Sequence, residues 1–149
     1  MYPFLVLLAL SVPSANEVSP VWHRDYGRAL RQAEAARKPM AVFIGWGANG
    51  PASVSEEGEL SLEVCRLLSA YYVCVYIDAV EPAARELVDA FEAAEPPTLV
   101  LSDASRIYQA FRHSGTFDDA GLRRVLDKYR LHEEETTPQE PPEAGHCRA

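Results

Sequence analysis

At 149 residues, 48% hydrophobic and 24% charged, the chain has globular composition and enough length to bury a core without metal or disulfide staples. Its formal charge of −8 repels phosphate backbones, which argues against nucleic acid as a partner. The odd set of cysteines (Cys65, Cys74 and Cys147) excludes a closed intramolecular disulfide framework. Neither they nor the four histidines stand at zinc-ligand spacings, so no metal or other cofactor is expected.

Phe4 to Leu10 is an unbroken apolar run followed by the small residues Ser11, Ser14 and Ala15. It is shorter than the roughly 20 residues that span a bilayer. Residues 1–15 therefore read as a signal peptide, although no Lys or Arg precedes the run. The alternative is an apolar N-terminal strand or extension of a cytosolic protein. No other stretch suits a membrane span once a signal is removed. On the first reading the mature protein is periplasmic or extracellular.

Residues 16–21 form a polar linker. Asp25 to Lys38 carries Tyr26, Ala29, Leu30 and Ala33 on one helical stripe, and Pro39 stops it. Met40 to Trp46 is a continuous apolar run that fits a strand buried on both faces. Gly47 to Pro51 is a turn, and Ser53 to Gly58 is loop or a first helical turn. Leu60 to Ala70 is helical by spacing, Tyr71 to Ala79 is a second buried strand, and Glu81 to Ala94 is a helix with Pro82 in its first turn. After Glu95-Pro96-Pro97, Thr98 to Leu101 and Ile107 to Phe111 make a hairpin about the Asp103–Ser105 turn. Phe117 to Leu131 is the last helix.

Residues 132–149 hold five Glu and one Arg among Pro and Thr, which predicts an acidic, Pro-rich disordered tail. Residues 20–131 carry 13 basic and 16 acidic side chains, so the predicted folded part is nearly neutral. The element order predicts an α/β protein with a central mixed sheet of four or five strands flanked by helices.

Particular residues tie this order to a family. Trp22, Asp25, Tyr26, Ala29 and Leu30, followed by Lys38-Pro39 and a buried strand, resemble the opening of exported thioredoxin-like proteins. Trp46-Gly47-Ala48-Asn49-Gly50-Pro51 stands where such proteins carry Trp-Cys-x-x-Cys. Pro97-Thr98 resembles the cis-proline segment, and Asp103 and Gly115 also fit. The resemblance covers residues 20–131 and implies a thioredoxin-like fold.

It also implies what is missing. In active members the first cysteine is a thiolate at a helix start, and exchange proceeds through a mixed disulfide. Here Gly47 and Gly50 stand in both cysteine positions, a degenerate redox motif with no sulfur. Ala41 stands where thioredoxin carries a buried Asp. Relatives pair the backbone of the residue before the cis-proline with an extended substrate; Pro96, in that position, has no N–H to give.

The remaining candidates have plain competitors. Trp46 and Pro97 are the candidate peptide-binding residues; equally, Trp46 packs as a half-buried core aromatic and Pro97 is structural. Gly47 and Gly50 either receive an anion on their N–H groups or simply permit tight geometry. Cys65 and Cys74 read as small apolar residues, and Cys147 as a tail residue. Asp78 is either a carboxylate near the site or the cap of a turn. No catalytic residue is assigned. The reading is a redox-inactive thioredoxin-like module that binds a protein or peptide or serves a structural role. The alternative is a thiol-disulfide oxidoreductase using Cys65, Cys74 or Cys147.

Overall fold

The computed structural model describes residues 18–103, 105 and 109–130, with the side chains of 48 and 49 left aside. The expected signal peptide, the acidic tail, Cys147 and the first residues of the expected last strand lie outside the described residues. Five strands form one mixed sheet in the order β1-β3-β2-β4-β5. The strands are β1 (Trp22–His23), β2 (Met40–Gly45), β3 (Val73–Asp78), β4 (Thr98–Ser102) and β5 (Gln109–Ser114). β3 runs parallel to both β1 and β2, whereas β4 is antiparallel to β2 and β5.

The unbroken apolar runs of β2 and β3 are explained by burial on both faces. Ala41, Phe43, Cys74, Tyr76, Leu99 and Leu101 point into one core, closed by α2 (Leu62–Tyr71) and α4 (Asp119–Arg130) through Val64, Leu68, Leu122 and Leu126. Their neighbours Met40, Val42, Ile44, Val73, Val75, Ile77 and Val100 point into the other. That core is closed by α1 (Tyr26–Ala36) through Ala29 and Ala33, and by α3 (Arg85–Ala90) with Leu87 and Val88. Period-two alternation in the strands thus feeds two helical layers.

The helix limits follow from caps. Asp25 accepts the N–H of Arg28 at 2.9 Å and starts α1, and left-handed Arg37 ends it. Ser61 accepts the N–H of Val64 at 3.2 Å, so α2 begins at Leu62 rather than at Leu60. The helix expected over Glu81 to Ala94 is shorter. A 3-10 turn (Pro82–Ala84) precedes α3, and Glu92 at φ 53 turns the chain out of it. Tyr71 closes α2 instead of opening β3. β1 was not expected; Trp22 packs edge-on against Phe43 with ring centroids 4.9 Å apart, which fixes this short edge strand to the core.

Candidate functional site

The segment after β2 departs from an ordinary helix start. Gly47–Val54 is a 3-10 stretch broken at Gly50, which has φ 55 and ψ −150, a backbone region essentially closed to side chains. Gly47 is also left-handed, at φ 58. Both glycines therefore serve geometry that other residues adopt only under strain. The turn is held from three sides. The N–H of Gly47 donates to Asp78 Oδ1 at 3.0 Å, the hydroxyl of Tyr76 donates to the Gly47 carbonyl at 3.2 Å, and the hydroxyl of Ser53 donates to the Gly50 carbonyl at 2.8 Å.

Asp78 answers its two sequence readings together. It lies beside the turn and also caps the next one, accepting the N–H of Val80 at 3.0 Å. The hydrogen bonds from Gly47 and Val80, in that order, hold its carboxyl below the usual aspartate range. A carboxylate thus occupies the Gly47 N–H, the group to which the anion reading would have brought a ligand. Gly45 is part of the same arrangement. A Cβ there would come within 2.4 Å of Ser53 Oγ, so only glycine leaves room for the serine that braces Gly50.

Trp46, at 56% exposure, is not a core aromatic. It borders an open depression of about 590 Å³ together with Ala52, Ser53, Ser55, Gly58, Pro97 and Thr116. The Pro96–Pro97 peptide is cis. The Pro97 carbonyl accepts the N–H of Gly115 at 2.8 Å, and Thr98 Oγ1 lies 3.1 Å from Ser114 Oγ, which ties this wall to β5. Opposite, Phe117 donates to the Val54 carbonyl and Glu56 to the Phe117 carbonyl, each at 2.8 Å. Trp46 and Pro97, far apart in sequence, are therefore brought to one depression, with Gly47 and Gly50 on the adjoining turn.

The described thiols are elsewhere. Cys74 is buried in β3, and burial pushes its thiol up to about 12. Cys65, half-buried on α2, is also raised by burial. Neither stands in the exposed electropositive setting that activates a thiol. Ala41 is fully buried in β2. Among the described residues no group of three or more His, Cys, Asp or Glu could hold a metal ion, and no helix is long and apolar enough to cross a membrane. The sequence reading missed Ser53, Ser55 and Thr116, the walls of the depression; the run of small and hydroxyl residues after Trp46 was the available signal.

No protein-family model and no curated protein matches this chain. Solved structures do. A thioredoxin from Thermus thermophilus is 22% identical with a TM-score of 0.59, covering 76% of this chain and 88% of that one. A protein described as DsbH oxidoreductase is 19% identical with a TM-score of 0.58, covering 76% of this chain and 86% of that one. With the mixed five-stranded sheet and its two helical layers, these likenesses establish that the chain has a thioredoxin-like fold.

Proposed function

We propose that the chain is an exported thioredoxin-like module that binds a protein or peptide partner without exchanging thiols at the usual site. One observation carries the reading: an exposed indole beside Pro97 borders an open depression, while the adjoining turn is built on left-handed glycines where relatives hold cysteines. A sulfur-free turn cannot begin a mixed disulfide. The surface that relatives place around their redox motif remains, and binding is the use left for it. Export rests on the apolar run from Phe4 to Leu10; intact mass of the native protein, expected to lack about the first 11–16 residues, tests that part.

The competing reading, thiol chemistry through Cys65, Cys74 or Cys147, draws on the oxidoreductase name of one structural neighbour. Insulin reduction with dithiothreitol separates the two. The purified protein is expected not to exceed the protein-free rate. Activity abolished in a variant with all three cysteines changed to Ser would replace the binding module with an enzyme.

A further inference from the structure

The stretches that build the depression carry charge of one sign. Residues 46–60, 93–98 and 114–119 include Glu56, Glu57, Glu59, Glu95, Asp118 and Asp119 and contain no Lys or Arg; the imidazole of His113 packs against them, its ring 4.5 Å from that of Phe117. The rest of residues 20–131 is consequently net positive, so the acidity of this region is a local polarity and not a dilute property of the surface. Glu56, Glu57, Glu59 and Glu95 are exposed. Of the six carboxylates, Asp119 alone has an ion pair among the described residues, with Arg123 at 2.9 Å. Glu56 and Glu57 lie between Ser55 and Gly58, both lining residues, and Glu57 accepts the hydroxyl of Ser55 at 2.8 Å.

Two further features bear on what fits. The indole of Trp46 is more than half exposed at the rim, and Trp is the strongest side-chain partner for a cation laid on an aromatic face. Pro96 supplies no N–H to an added strand, so recognition by backbone pairing is weakened and falls to side chains. We infer that the depression docks an extended basic segment of a partner protein, with a Lys or Arg side chain on the Trp46 indole and the flanking positive charges facing Glu56, Glu57 and Glu59. This rests on the proposed binding function and names its partner class. The chain's own tail is a poor occupant: residues 132–149 carry five Glu against one Arg and would meet like charge.

The test uses the full chain and the indole N–H resonances of Trp46 and Trp22, the second serving as an internal control. Three synthetic peptides of one length are titrated: one alternating Arg with Ser and Pro, one with Glu for each Arg, and one with Gln for each Arg. The Arg peptide is expected to shift the Trp46 resonance and leave Trp22 in place, and high salt should weaken it by about tenfold or more. The exposed triple variant E56Q/E57Q/E59Q should lose about tenfold in affinity for it at low salt, and Trp46→Ala, which lacks the reporter and is titrated by calorimetry instead, should lose binding while its Trp22 resonance stays in place. Equal binding of the Gln or Glu peptide overturns the inference and leaves the binding function standing. Response to none of the three overturns the inference. A Trp46 shift on deleting residues 132–149, or a mass doubling in solution that the triple variant abolishes, overturns the inference in favour of the tail or a second copy. Thiol-dependent insulin reduction would remove the proposed function and, with it, the inference that rests on it.

Discussion

The carboxylate of Asp78, at the end of β3, accepts the backbone N–H of Gly47, the first residue of the turn after β2, at 3.0 Å. Two parallel strands thereby end on one shared hydrogen bond, and the turn is fastened to its neighbour by a fixed anion. The bond makes the turn sensitive to acid. Its donors lower the folded carboxyl below the ordinary value of 3.8, so the unfolded chain binds the proton more readily. The stabilisation is then present above the unfolded value and lost as pH falls through the folded one. Acid unfolding of Asp78→Asn, followed by circular dichroism, should show a lower stability near neutrality and a shallower loss below pH of about 4 than the parent. Identical profiles would mean that the Gly47 bond does not stabilise the turn.

Restoring the absent motif should harm the fold and give little chemistry. The sequence alone predicts a partial gain from cysteines at 47 and 50, limited by Pro96. The structure lowers that expectation, because both positions have positive φ and Gly50 sits where side chains are essentially excluded. Gly47→Cys is expected to cost about 1–2 kcal/mol and Gly50→Cys about 1–3 kcal/mol in denaturant unfolding. Asp78 adds a like charge beside any thiolate at 47, holding that thiol up. A double variant as stable as the parent and active on insulin would show that the turn readily reverts to a redox geometry.

The described thiols should alkylate slowly or not at all in the native protein. With Cys74 pushed up to about 12 by burial, the fraction present as thiolate at pH 8 is on the order of 10⁻⁴. Iodoacetamide followed by mass spectrometry should leave Cys74 unmodified in the native protein, modify Cys65 slowly, and label both in denaturant. Rapid native labelling of Cys74 would reopen the thiol-enzyme alternative.

The parts of the fold that sequence revealed are those governed by local pattern. Met40 to Gly45 and Val73 to Asp78 announce themselves as unbroken apolar runs because they are buried on both faces, and Pro39 marks the end of α1 plainly. β1 was invisible because two residues cannot display a period. α3 was overextended because the apolar stripe continues to Phe91 although Glu92 has left the helix. The site divides the same way. The family resemblance singled out Trp46, Gly47, Gly50 and Pro97. The walls supplied by Ser53, Ser55 and Thr116, and the bond from Gly47 to Asp78, depend on register between distant segments, which no window of sequence contains.

The pair of hydrogen bonds between Val54–Glu56 and Phe117 has a consequence for the thermodynamics of association. Two walls of the depression, drawn from either side of β4 and β5, are already fastened to each other in the free protein. A ligand entering there need not order them, so the conformational entropy that a floppy receptor would lose on association has been spent during folding. The depression is pre-organised, and what remains to be immobilised on its rim is chiefly side chain, at about 0.5–1.5 kcal/mol each. Selectivity at such a rigid surface is set by the shape and charge of the visitor, with little left for the receptor to adjust.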